Sequence, residues 1–124
     1  MEIIASDEAP KAIGPYSQAI RSGNIIYTSG QIALDPATGN LVDGDFAAQV
    51  RRVFENLKAV LTAAGTDFSR VVKATVYLTD LANFATLNEI YASNFGDTKP
   101  ARTTVGVGQL PRGGLVEIDL IAIV

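Results

Sequence analysis

The chain has 124 residues, with 13 acidic against 10 basic side chains, and contains neither histidine nor cysteine. Those absences exclude disulfides, thiolate or imidazole metal sites, cysteine nucleophiles, Ser-His-Asp triads and imidazole acid/base catalysis from one chain's own residues. A net charge of −3 gives a field that does not draw in nucleic acid, so no nucleic-acid partner is expected.

The length suits one domain over residues 1–124, with a single core that buries roughly two-thirds of the unfolded surface. Acids stand in Met1 to Glu8 where an export signal would carry positive charge, so a cytoplasmic location is expected. The longest apolar stretch, Gly114 to Val124, contains Glu117 and Asp119. It falls well short of the ~20 residues of a membrane helix and reads as a buried strand, so no membrane partner is expected.

In chain order, Ile3-Ile4-Ala5 reads as an edge strand. The segment Ala19 to Thr28 places two strand-like runs around Ser22-Gly23-Asn24, the pattern of an antiparallel hairpin. From Asp45 to Ala64, Val50, Val53, Phe54, Leu57, Val60 and Leu61 recur at three- and four-residue intervals, and Gly65 follows as a stop. This is an amphipathic helix. Val71 to Leu78 is short and rich in β-branched residues, hence a strand.

Asp80 is placed to cap a second helix, in which Phe84, Leu87, Asn88, Tyr91 and Phe95 share a face and Pro100 marks the far limit. Strands follow near Thr103 to Val107 and Leu115 to Ile123. The order β-β-β-α-β-α-β-β predicts an α+β fold, with one mixed sheet carrying both helices on one face. Ile20, Ile26, Val76, Val105 and the alternating apolar residues of the last strand cannot all point at two helices. A second subunit is expected to cover the open face.

Four segments carry side chains suited to chemistry, and each has two readings. Gly14-Pro15-Tyr16-Ser17-Gln18 is a rigid turn that either leads into the sheet or presents the Tyr16 phenol. Tyr27-Thr28-Ser29-Gly30-Gln31 is either an ordinary strand exit or a concave loop whose amides receive an anion. Arg102, after the turn at Lys99-Pro100, has no acidic neighbour in sequence. Its planar fork matches either a surface acid or a ligand carboxylate. Glu117 shares a mixed face with Leu115, Asp119 and Ile121. It is either a solvent-facing acid or a half-desolvated carboxylate with a raised pKa, suited to moving protons to and from water.

If the last two strands formed a simple hairpin with Gly108 opposite Leu115, Arg102 would lie about 13 Å from the level of Glu117. A shared site then requires non-adjacent strands or two chains, and the uncovered face argues for two chains.

Gly14-Pro15-Tyr16-Ser17-Gln18-Ala19, Ser29-Gly30-Gln31-Ile32, Asn88-Glu89-Ile90-Tyr91 with Phe95, Pro100 to Val105, Leu110-Pro111 and Val116-Glu117-Ile118 occur in this order. The set resembles the RidA (YjgF/YER057c) family of enamine/imine deaminases, essentially end to end. The resemblance implies a chorismate-mutase-like α+β fold and a homotrimer with clefts between subunits. It also implies the reaction of a 2-iminobutanoate/2-iminopropanoate deaminase: hydrolysis of 2-enamino or 2-imino acids, such as 2-aminoacrylate, to 2-oxo acids and ammonia, with no cofactor in the protein itself.

Carried over by position, Arg102 would clamp the substrate carboxylate and Glu117 would activate the attacking water. Tyr16, Ser29, the Gly30 amide and the backbone around Thr104 would line the cleft, joined by Asn88 from the second helix. Family members often have cysteine where this sequence has Thr104, which removes any redox role of a thiol there. An imine carbon is already electrophilic and requires only orientation, a proton and a placed water, so no covalent nucleophile is needed. Two rival readings are a ribonuclease or translation inhibitor, which fits poorly with an acidic chain lacking histidine, and a non-catalytic trimer that binds small carboxylates.

Overall fold

A computed structural model describes residues 1–124. The strands are β1 (Glu2–Ile4), β2 (Ala19–Ser22), β3 (Ile25–Thr28), β4 (Val71–Leu78), β5 (Ala101–Gly106) and β6 (Val116–Ile123). The helices are α1 (Phe46–Ala63) and α2 (Phe84–Phe95). All six strands form one sheet in the order β1-β2-β3-β6-β4-β5. Only β4 and β5 pair in parallel, across the connection that contains α2.

The expected hairpin forms between β2 and β3, with Ser22 opposite Ile25 and Gly23 at a φ of 61° in the turn. Asp45 caps α1 by accepting a hydrogen bond from the Ala48 amide, which satisfies one of the orphan donors of the first turn. At the other end Ala64 closes the helix and Gly65 takes a φ of 81°, the left-handed conformation that glycine adopts without a Cβ penalty. Asp80 acts one step earlier than the sequence implied. Its carboxylate accepts from the Ala82 amide and caps a short 3-10 turn, Leu81–Asn83, which runs directly into α2.

β5 begins at Ala101, two residues before the sequence-based strand, and β6 begins at Val116. The last two strands do not form a hairpin: β6 enters the centre of the sheet between β3 and β4, leaving β5 on the edge beyond β4.

Side chains alternate between the two faces, except at a bulge between Val71 and Lys73 of β4. Ile26, Ala74, Val76, Leu78, Val116, Ile118, Leu120 and Ala122 are buried, and they form one core cluster with Val50, Val53, Phe54, Leu57, Val60 and Leu61 of α1 and Leu87, Ile90 and Phe95 of α2. Phe54 is its aromatic centre, with edge-to-face contacts to Phe68, Tyr91 and Phe95.

The other face carries no helix. A row of register partners crosses it from Ile3 through Ile20, Tyr27, Ile121 and Lys73 to Ala101. Ile3, Tyr27, Ile123 and Val105 are exposed on this face. No helix of the chain is long and apolar enough to cross a membrane.

Candidate active site

The seven residues singled out from the sequence fall into two clusters. The first is built around Glu117, which β6 directs to the helix-free face beside Tyr77 of β4. Gly30 passes directly beneath it, because a two-way backbone bridge between Gln31 and Ile118 fastens that segment to β6. A Cβ on Gly30 would lie 2.7 Å from the carboxyl carbon of Glu117, so only glycine permits this approach.

Tyr16 stands opposite, on a loop that turns tightly where its own amide donates to the Gly14 carbonyl at 2.8 Å. Its phenol oxygen accepts from the Ile13 amide at 3.3 Å. The Ser29 hydroxyl donates to the Ser17 carbonyl at 2.6 Å and the Ser29 amide donates to Gln18. Ser29 therefore anchors the Tyr16 loop, and its oxygen keeps only its acceptor capacity for a ligand.

Sequence reasoning missed Gln18 as the loop's main fastening. Its buried amide donates to the carbonyls of Ser6, Ala9 and Pro10 and accepts from the Ser6 amide. Tyr16, Gly30 and Glu117 line a cavity of about 80 Å³ together with the apolar side chains of Ile13, Ile32 and Leu34.

Burial pushes the Glu117 carboxyl above its ordinary pKa, and the neighbouring charge of Asp119 adds in the same direction. The chain offers it no ion-pair partner, since the one ion pair present joins Arg52 and Glu55. Asp119 itself accepts a hydrogen bond from the Tyr77 hydroxyl at 3.0 Å. A carboxyl so placed holds a proton more tightly than one in water, and gives it up to a base that arrives with a ligand or to solvent.

The second cluster surrounds Arg102 on the edge strand. Register places Arg102 level with Ala74 and Leu120, both buried under the helices, so its side chain leaves the sheet on the helix-bearing face. There Nη1 donates to Oδ1 of Asn88 at 2.8 Å. The guanidinium carbon lies 4.8 Å from the ring centre of Tyr91 and 5.4 Å from that of Phe84, within range of a cation–π contact with each.

The spacing puts Phe84, Asn88 and Tyr91 on one helix face, of which only Asn88 is expected in the cleft. In the structure Phe84 is exposed and all three grip Arg102. Their i, i+4, i+7 spacing carried the signal, but periodicity does not say what a face meets. Thr104 follows on the same side of β5, level with Val76. Its hydroxyl and that of Tyr91 are buried without a hydrogen-bond partner. The partner of Arg102 is a neutral amide, so its charge is uncompensated and most of its five N–H donors are left for a ligand.

The two clusters do not meet within one chain. β4 separates their strands, and Arg102 is level with Leu120, three residues from Glu117 on β6. That is a separation of about 10 Å along the strands and about 10 Å across them, on opposite faces of the sheet. No group of three or more acid, histidine or cysteine side chains converges anywhere in the chain in the manner of a metal site.

A six-stranded mixed sheet with two helices on one face and a half-buried carboxylate over a glycine segment defines an α+β protein of the L-PSP fold. A family model described as Endoribonuclease L-PSP matches residues 6–124, and the chain belongs to that family, the RidA (YjgF) family. Among its relatives, Protein DfrA of Myxococcus xanthus is 59% identical over 122 residues, covering 97% of this chain and 93% of that protein. The 2-iminobutanoate/2-iminopropanoate deaminase of Mus musculus is 48% identical, covering 98% and 90%.

Among solved structures, RidA from the Antarctic bacterium Psychrobacter superposes with a TM-score of 0.96 at 48% identity over the whole of both chains. TdcF of E. coli, solved with bound serine, superposes with a TM-score of 0.95 at 41% identity, covering 100% of this chain and 99% of that one.

Proposed function

We propose that this protein hydrolyses small 2-imino and 2-enamino carboxylic acids to 2-oxo acids and ammonia, in clefts between the subunits of a homotrimer. The observation that carries the reading is the separation of Arg102 from Glu117. Each is an uncompensated, half-buried charge-bearing group, and within one chain they face apart. Bringing the edge strand of one protomer against the helix-free face of the next joins them around one substrate. The same contact covers Ile3, Tyr27, Val105 and Ile123, whose exposure is costly in a lone chain.

In such a cleft the guanidinium of Arg102 pairs with the substrate carboxylate, held in orientation by Asn88, Phe84 and Tyr91. The C2 carbon then lies over Glu117. The carboxylate takes a proton from water, the hydroxyl oxygen bonds to C2, and the C=N electron pair moves to nitrogen. That proton passes to the nitrogen to give a carbinolamine; the carboxylate then relays the hydroxyl proton to the amine, and the C–N bond breaks as the C=O bond forms, releasing ammonia.

For the enamine tautomer, a protonated Glu117 first donates to the β-carbon to give the iminium, which releases an N–H proton to solvent to become the imine. A raised pKa suits a group that must be both donor and acceptor. Tyr16 and the Gly30 backbone close the cleft on the Glu117 side.

The name of the mouse relative supports this reaction, and the serine held by the E. coli relative supports a site for small amino-acid-like carboxylates. The family description favours a second reading, cleavage of RNA. The chain's net charge of −3 opposes it.

The test generates 2-aminoacrylate in situ with a serine dehydratase and follows its conversion to pyruvate. Acceleration by the wild type, lost in Arg102→Ala and Glu117→Gln, is the expected result. No acceleration with any of several 2-imino acids, alongside hydrolysis of a single-stranded RNA, would replace this reading with the second.

A further inference from the structure

The walls of the Glu117 cavity are not self-supporting. Residues 31–34 are buried, yet they belong to no strand: the backbone is bridged to the sheet at Gln31–Ile118 and to the following segment, where Leu34 pairs with Leu41 and the Val42 amide donates to the Ala33 carbonyl at 2.9 Å. The backbone makes a three-residue turn in which the Leu34 amide donates to the Ile32 carbonyl at 2.8 Å. Ala33 at its centre is fully buried, while Ile32 and Leu34 on either side line the cavity. Segments of this kind open at low cost unless something outside them fixes their carbonyls.

For the Ile32 and Leu34 carbonyls that fixture is one side chain of α1. Asn56 is completely buried on a helix face otherwise occupied by Val53, Leu57 and Val60. Its Nδ2 donates to the Leu34 carbonyl at 2.9 Å and to the Ile32 carbonyl at 3.3 Å. Its Oδ1 accepts from Nε of Arg52, one turn earlier, at 2.9 Å. Arginine can only donate, so Arg52 fixes which end of the amide faces the carbonyls.

Two turns earlier on the same stripe, Gln49 is also buried and accepts from the amide of Leu115, two residues before Glu117. α1 thus grips two of the segments around the cavity without reaching it.

We propose that Asn56 is a positioning residue that sets the cavity's width through Ile32 and Leu34, and so limits the length of the substrate side chain accepted beside Glu117. The inference rests on the function proposed above. A polar side chain at a fully buried helix position is stabilising only while all its bonds are made. Here they are made to the two residues whose side chains bound the cavity. Releasing them lets the 32–34 turn move outward, which favours long side chains over short ones.

The test compares wild type, Asn56→Ala and Arg52→Met, the last of which keeps the aliphatic stem and removes the donor that orients Asn56. Affinities for pyruvate and 4-methyl-2-oxopentanoate are measured by calorimetry, and kcat/KM is measured for the matching imino acids, with folding checked by circular dichroism. In Asn56→Ala the preference for the longer acid should rise about tenfold, within the range by which apolar pockets discriminate chain length. A smaller shift in the same direction is expected in Arg52→Met, which carries the test alone if Asn56→Ala does not fold.

A ratio that stays at the wild-type value in the folded variants, whether both affinities fall together or neither changes, is the result of a purely structural role and overturns the proposal. Wild-type protein that binds both acids but turns over neither imine contradicts the proposed reaction and leaves the positioning role intact if the binding ratio shifts. Wild-type protein that binds neither acid overturns both.

Discussion

Arg102 and Glu117 leave the sheet on opposite faces, with β4 between their strands. The sheet's alternation makes this separation rigid. Moving Glu117 to the face of Arg102 would require a one-residue slip of β6, which would turn the buried Val116, Ile118, Leu120 and Ala122 outward. A reaction that needs both groups therefore needs two copies of the chain, and most of the predictions below follow from the roles this gives to single residues.

Arg102→Ala should raise KM for a 2-imino acid about 10- to 100-fold, the loss of a charge-assisted pair worth ~1.5–3 kcal/mol. Arg102→Lys should recover only part of that, because an ammonium lacks the planar fork that meets a carboxylate with two bonds. Steady-state kinetics on all three proteins check the order: wild type, then lysine, then alanine. Equal KM for wild type and alanine would mean that Arg102 does not bind the carboxylate.

Glu117→Gln should bind 2-oxo acids with near wild-type affinity and lose about 100-fold or more in kcat, the scale of a general acid/base contribution. In the wild type, the deprotonated carboxylate activates water, so kcat/KM should rise with pH through a midpoint above the usual carboxylate range, following the upward shift caused by burial and Asp119.

The same shift has a sign for stability. Because the folded state holds the proton more tightly than the unfolded state, Glu117 favours folding at low pH. That contribution is lost as pH rises from the ordinary carboxyl value through the raised one. Thermal unfolding of Glu117→Gln should therefore show a higher Tm than wild type at neutral pH, with the gap closing in acid. A gap of the opposite sign would contradict the burial assigned to this carboxyl.

Gly30→Ala should fold, since the Gly30 backbone is not in the left-handed region, yet its new methyl would lie 2.7 Å from the Glu117 carboxyl carbon. Displacement of the carboxylate should lower kcat about 10- to 100-fold, comparable to a small misplacement of a reacting group. Little change in the circular dichroism spectrum is expected. Wild-type kcat in this variant would separate Glu117 from the chemistry.

Leu57→Ala, in the fully buried stripe of α1, should cost about 2–5 kcal/mol in urea denaturation by leaving a cavity. This change probes the core independently of the site. A cost below about 1 kcal/mol would contradict the packing of α1 against the sheet.

Much of this fold was legible in the sequence because its signals are local. The apolar spacing from Val50 to Leu61 defines α1, Gly65 ends it, and Gly23 marks the hairpin turn. Strand order was not legible. Nothing near β6 in sequence says that it pairs with β3 and β4 rather than with β5, because those partners are chosen by long-range packing.

Most of the site residues were named from the motifs, but their division into two clusters was visible only once register assigned each to a face. Phe84 and Tyr91 were hidden by a helical period that looks the same whether a stripe meets a core or an arginine. Gln18 and Asn56 were hidden for the opposite reason. Each is a polar interruption of an apolar pattern, and its bonds to distant carbonyls leave no trace in local sequence.

The most direct measurement mixes two impaired variants at a substrate concentration below the wild-type KM. Arg102→Ala and Glu117→Gln are co-expressed with different tags, and the mixed assemblies are purified and assayed with 2-aminoacrylate. In a cyclic trimer each mixed assembly regains one interface with an intact Arg102 on one protomer and an intact Glu117 on its neighbour. The purified mixed trimers should therefore show about one third of wild-type activity. Activity no higher than that of the separate variants would show that the two residues do not share a site across a subunit boundary, and would contradict the account at its centre.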